Sequence, residues 1–277
     1  MSKHIAKAVL ILLAVLFILP VLISFISSLM EPNEVLYRIG ALPHDIGRAE
    51  GLTMTPETVT LRQYYELLIE NPMYLHMFWN SFLYASSITL LTNIIALPVA
   101  FAFAKVRFFA RDKFFFLFII VLLMPYQVTL LSNYILIART GLLGSSLAVI
   151  IPSVFAPLGI FLLRQSIRSV PDTLIEAVVL ETSSVTRILR HAIIPKIAPS
   201  LVTMNILVFA DSWNMVEKYA IFINQPADMP LSVTLNGIMN NVPGISFAGS
   251  VLFMLPIIIL YFMFEEQITK GLEDFRW

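Results

Sequence analysis

Residues 176–199 read EAVVLETSSVTRILRHAIIPKIAP, a polar, basic stretch with two prolines, set between two strongly apolar segments. It continues a helix start at Ser169-Val170-Pro171-Asp172, where proline suits the first turn and an early aspartate suits the helix dipole. Leu174, Ala177 and Val178 recur at i, i+3 and i+4, which predicts one apolar face on a short helix. Thr182-Ser183-Ser184 then interrupts the pattern, and these hydroxyls are suited to cap a following helix. Ile188, Leu189, Ala192 and Ile193 predict a second apolar face, with Arg187, Arg190 and His191 left polar. Pro195 and Pro199 are expected to end the pair and lead into the next apolar run. The product is a helix–break–helix element with a small apolar face left to bury. Periodicity alone leaves two uses for that face: packing on its own bundle, or contact with a partner.

The chain around it is not that of a soluble domain. Its 277 residues are 58% hydrophobic and 13% charged, with a mean hydropathy of +0.84, whereas soluble proteins have about a quarter of their residues charged. Apolar blocks reach the roughly 20 helical residues needed to cross about 30 Å of hydrocarbon. Unpaired backbone cannot face lipid, so the expected fold is all-α and polytopic. Net charge is zero, which gives no electrostatic case for nucleic-acid binding. With no cysteine there are no disulfides or thiolate metal sites. The histidines, His4, His44, His76 and His191, are scattered and form no i, i+4 pair, so no metal site is expected. HExxH, GxSxG and GxxxxGK[ST] are all absent. The chain carries no visible means of hydrolysing ATP.

Six spans are predicted: Ala8–Leu29, Met77–Ala104, Phe114–Leu136, Leu143–Leu163, Ser200–Ile223 and Ser246–Phe264. Basic residues near span ends set orientation. Lys3, Lys7, Lys105, Arg107, Arg111, Lys113, Arg164, Arg168, Arg187, Arg190, Lys196, Lys270 and Arg276 fall on one side. Arg38, Arg48, Arg62, Arg139 and Lys218 fall on the other. The imbalance of 13 to 5 predicts that both termini are cytoplasmic. The first run is long for a signal peptide and no A-x-A site follows, so an uncleaved helix is expected. The chain then divides into an N-terminal helix at 1–30, an extracytoplasmic segment at 31–75 and a five-span core at 76–277, with the polar loop at 164–199. The extracytoplasmic segment carries Glu31, Glu34, Asp45, Glu50, Glu57, Glu66 and Glu70 among Pro32, Pro43, Pro56 and Pro72. Within it, LRQYYELLI at 61–69 has the pattern of a short amphipathic interfacial helix, read first as a packing cap and second as a surface for an external partner.

The polar loop resembles the EAA loop of ABC-importer permeases, which docks onto an ATP-hydrolysing subunit. That pattern runs Glu-Ala-Ala, a carboxylate and glycine, then two prolines four apart. Here Glu176-Ala177-Val178 stands at its start, Glu181 takes the carboxylate place, and Pro195 and Pro199 keep the spacing. RQSIRSVP before the motif, DSWN at 211–214, PLSVTLNGI at 230–238 and the terminal GLEDFRW are similar to the carbohydrate-uptake, maltose-permease-like branch. The likeness covers about residues 76–277. It departs at Thr182, where the family has glycine, and at Leu189, where it has an aromatic residue. The resemblance implies a type I importer permease with a coupling helix near Pro171, and Arg187 on the second helix of the loop. It implies a second permease subunit, two nucleotide-binding ATPase subunits holding ATP and Mg, and an extracytoplasmic solute-binding protein. It further implies a prokaryotic inner membrane and no cofactor on this chain, with a sugar or oligosaccharide as solute. The alternative is a secondary transporter driven by an ion gradient, though no internal repeat is visible.

Charge inside a span is costly and usually functional. Asp211, placed near the middle of the fifth span, is the clearest case, as pathway lining or as a helix–helix hydrogen bond. Glu217 and Lys218 beyond it are expected to pair locally. Asn214, Asn205 and Gln127 are further pathway candidates, with Asn80, Ser81, Asn93 and Asn133 weaker ones. Pro98, Pro125, Pro152 and Pro157 are expected to kink their helices and help outline a cavity.

Overall fold

The structure, a computed structural model, describes residues 2–38, 55–235 and 243–274. Pro43, Asp45, Arg48, Glu50, Arg276, the last three residues of PLSVTLNGI and the last three of GLEDFRW lie outside the described residues. All regular structure among the described residues is helical. The chain divides into two compact units, Met1–Trp79 with Leu231–Pro256, and Asn80–Pro230 with Ile257–Trp277.

In the first unit α1, Ser2–Ser28, is apolar on every side, and Phe17 is 76% exposed. A helix with this surface needs lipid around it. After α2, Pro32–Arg38, comes α3, Arg62–Tyr65, which passes into a π-helical turn at Glu66–Glu70. This is the LRQYYELLI segment, and it is anchored by burial. Gln63 is fully buried; its Nε2 donates to the carbonyls of Ser27 at 2.7 Å and Met30 at 2.8 Å, and its Oε1 accepts from the Ala248 amide at 3.3 Å. A buried amide with its bonds met fixes the ends of three segments together. Leu67 packs with Tyr74, Met77, Leu231, Ile245 and Ala248, so the segment acts as a packing cap. Leu231 belongs to α13, described over 231–235.

Two long helices are α4 at Pro72–Lys105 and α14 at Ser246–Asp274. The second unit adds α5, Arg111–Leu123, and α6, Tyr126–Arg139, joined at a bend of 98°. Then follow α7, Ser146–Val154, and α8, Pro157–Ser169, separated by extended Phe155 and Ala156. The polar loop forms α9, Asp172–Glu181, and α10, Val185–Ile188, and continues through a π turn at Leu189–Ile193 into α11, Ile194–Asn214. Last comes α12, Glu217–Phe222. The core of this unit joins Ala96, Ala100 and Phe101 of α4 to Ile160, Leu163 and Ile167 of α8, with Ile193, Ile197 and Met204.

Among the described residues, five helical stretches are long and apolar enough to cross a membrane, and a sixth if α5 and α6 count as one span. Three predicted spans differ in form from a straight helix. Leu143–Leu163 is interrupted at extended Phe155 and Ala156. Phe114–Leu136 breaks at Met124-Pro125, because Met124 takes the extended backbone that a following proline favours. Ser200–Ile223 stops at Asn214, and Glu217–Phe222 is a separate helix beyond extended Met215. The fifth span also begins far earlier than predicted, since helix continues from Val185.

Candidate functional site

The polar loop is built outward from the end of α8. Val170 is buried and extended, as its place before Pro171 requires, and α9 starts at Asp172. Lys105, the last residue of α4, grips this turn. Its Nζ donates to the Val170 carbonyl at 2.6 Å and to Asp172 Oδ1 at 2.7 Å. Bonding to the Lys105 ammonium holds the Asp172 carboxyl below its ordinary value. Sequence reasoning counted Lys105 only as an orienting charge; the contact joins residues far apart in the chain and left no local signal.

Helix α9 turns one narrow face inward. Ile175 and Val178 pack on the core of their unit, while Leu174 and Ala177, expected on the same face as Val178, are exposed. At about 100° per residue, Thr173, Glu176, Ala177 and Leu180 lie opposite the inward face. Leu180 is 90% exposed. Periodicity does not single out Leu180, because apolar residues stand on both faces of α9; a helical wheel centred on Ile175 and Val178 places it outward. Pro171 and Glu181 are exposed, and Glu176 and Ala177 share the outward face.

At the break Thr182 has φ −158° and ψ 142°, extended backbone open to any residue. Its Oγ1 accepts the Ser184 amide at 3.2 Å, so Thr182 shapes the turn itself, where capping of the next helix was expected. Ser184 precedes α10 without a side-chain cap. Ile188, Leu189, Ala192 and Ile193 are all buried, and Arg187, Arg190 and His191 are exposed, as the periodicity predicts. His191 Nδ1 lies 3.0 Å from the Arg187 carbonyl. Pro195 and Pro199 do not end the helix. Pro195 sits in the first turn of α11, just after the π turn, and Pro199 lies within it. The π turn at Leu189–Ile193 re-spaces the backbone directly before the missing amide of Pro195.

Three helix breaks meet at one cavity of about 720 Å³ in the second unit: Met124 and Tyr126, Phe155 to Pro157, and Met215 all line it. Irregular backbone at membrane depth is tolerated where it lines a cavity. Asp211 lines it too, three residues from the end of α11 and exposed, not midway along a span. Lys218 lines it and bonds Ser153 Oγ at 3.1 Å, with its Nζ 4.9 Å from the Tyr126 ring centre. That contact replaces the expected pairing with Glu217. The other candidates lie elsewhere. Asn205 Oδ1 accepts from Asn93 Nδ2 at 2.7 Å, tying α11 to α4. Asn214 Nδ2 bonds the Ala210 carbonyl of its own helix at 2.8 Å, and Gln127 is exposed outside the lining. Asn80 bonds the Ala227 carbonyl at 2.8 Å, whereas Asn133, Pro152 and Pro157 line the cavity.

These features define a helical membrane protein with a polar loop whose helix α9 exposes Leu180 beside Glu176 and Ala177. No protein-family profile matches the chain. It is 28% identical over 254 residues to the arabinooligosaccharides transport system permease protein AraQ of Halalkalibacterium halodurans, covering 91% of this chain and 88% of that one. It is 24% identical over 264 residues to AraQ of Bacillus subtilis, at 94% and 90% coverage. The sn-glycerol-3-phosphate transport system permease protein UgpE of Shigella flexneri is 24% identical over 266 residues, at 91% and 94% coverage. The fold is that of a chain in the crystal structure of a bacterial ABC transporter involved in the import of the acidic polysaccharide alginate, with a TM-score of 0.78, 19% identity and 96% of each chain covered. In sequence and in fold the chain is similar to carbohydrate-type ABC-importer permeases. Its relatives support that function and not the ion-gradient alternative.

Proposed function

We propose that this chain forms half of the translocation pathway of a binding-protein-dependent importer for an oligosaccharide or a related polyol ester, and that α9 is its contact with an ATPase subunit. The observation that carries this is Leu180, 90% exposed on the outward face of a helix outside the spans, beside Glu176 and Ala177. Lipid does not cover a polar loop, and burying a leucine is worth about 1.5–3 kcal/mol. A protein surface is the natural cover.

Around that contact the assembly has a second permease, two ATPase subunits that hold ATP and Mg, and an extracytoplasmic solute-binding protein. The chain itself holds no cofactor and hydrolyses nothing. It sits in a prokaryotic inner membrane with both termini and the loop in the cytoplasm, as the 13-to-5 distribution of Lys and Arg supports. The solute passes by the cavity at Asp211 and Lys218. Closure of the ATPases moves α9, which is joined through the buried face of Leu189–Ile193 to α11 and through Lys105 to α4.

Leu180→Asp and Glu176→Lys test the contact. Each should insert normally, lose the ATPase subunit on gentle purification and abolish ATP-driven uptake. Retention of the ATPase with normal uptake by both variants would remove α9 from the coupling role.

A further inference from the structure

The cavity at the three helix breaks holds a cation, Lys218, that no carboxylate among the described residues contacts. Lys218 is half-buried, and its Nζ contacts Ser153 Oγ at 3.1 Å and the face of the Tyr126 ring, both neutral. Among the described residues no carboxylate oxygen lies within 4.0 Å of that nitrogen. Asp211 on the same lining acts on Lys218 through space without contacting it, and Glu217, next in sequence, is exposed. An ammonium withdrawn from water needs more than one hydroxyl and one ring face to offset its desolvation. The Tyr126 hydroxyl is itself buried with no hydrogen-bond partner among the described residues. Thr129 and Asn133, one and two turns further along α6, add neutral polar groups to the same lining.

We propose that Lys218 determines solute specificity: the cavity receives its solute through a carboxylate, sulfate or phosphate group that docks on this ammonium. Acidic saccharides or polyol phosphates then pass in preference to neutral solutes of the same size. This rests on the cavity being part of the solute path.

The chain has no cysteine, so a single one can report the field in the cavity. Asn133→Cys is introduced into the assembled importer. It is labelled with an anionic sulfonatoethyl or a cationic trimethylammonioethyl methanethiosulfonate, and modification is read on this chain by mass. Relative to a free thiol, the anionic reagent should react faster by about tenfold. Adding Lys218→Gln should erase that preference, and Lys218→Arg should keep it. A cationic preference, or one unchanged by Lys218→Gln, would overturn the proposal. Galacturonate should slow the labelling and galactose should not. Slowing by phosphatidylglycerol in the bilayer but not by galacturonate would assign the anion to a lipid headgroup and overturn the solute claim. Resistance to both reagents and to neutral methyl methanethiosulfonate would show a sealed cavity and remove the passage reading itself.

Discussion

Lys105 closes α4, and its ammonium spans the turn between α8 and α9, at 2.6 Å from the Val170 carbonyl and 2.7 Å from Asp172. Its side chain is packed while that of Asp172 stays open to solvent, so the lysine is the anchored partner. Because the pair depresses the Asp172 carboxyl, its contribution is fully present above the ordinary aspartate value of about 3.9. It fades only as pH falls through the depressed value. Acidification within the neutral range should therefore leave α9 anchored, whereas Asp172→Asn removes the ion pair at every pH. Amide exchange over residues 172–181 in the assembled transporter measures this. Lys105→Met should raise exchange there more than Asp172→Asn does, because it also frees the Val170 carbonyl. Unchanged exchange in Lys105→Met would show that the lysine does not hold the helix.

At the scale of elements, the break at Thr182 and the π turn at Leu189–Ile193 give the loop its shape. The extended backbone of Thr182 makes no use of the φ freedom that a glycine offers. Thr182→Gly should cost about 0.4–1 kcal/mol through the unfolded chain, leaving uptake largely intact. A marked gain in uptake would show that the native joint is too stiff. Helix α14 meets α11 through Gly271, where an added Cβ would run into Thr203 Oγ1 and the Pro199 carbonyl. One contact is backbone and the other a hydroxyl bonded to that same carbonyl, so little can yield. Gly271→Ala should destabilise by about 1–3 kcal/mol, read as a lower unfolding temperature of the purified complex. No change would mean that the two helices separate freely.

How far these elements were legible depended on what fixes each one. The apolar runs were legible because lipid forces long apolar segments into helix, and Ile188 to Ile193 because four apolar residues share one face. The first face of the loop was not, since Ile175 with Val178 fits the helical period as well as Leu174 with Ala177 and Val178. Only packing against the core decides between them. Pro125 announced a kink, but a bend of 98° and its meeting with the breaks at Phe155 and Met215 are set by contacts distant in sequence. Asp211 changed place for a similar reason: its depth depends on α11 stopping at Asn214.

For the whole molecule, coupled transport depends on α9 serving as the seat of an ATPase. The absence of native cysteine allows this to be tested residue by residue. Cysteines placed singly at Leu180 and at Val178 in the assembled transporter present the outward and inward faces of the same helix to a short bifunctional thiol reagent. Cross-linking from Leu180→Cys, and not from Val178→Cys, to a subunit carrying a GxxxxGK[ST] motif is the expected result. Capture from Val178→Cys alone, or of no nucleotide-binding subunit from either position while ATP-driven uptake persists, would contradict the coupling role of α9.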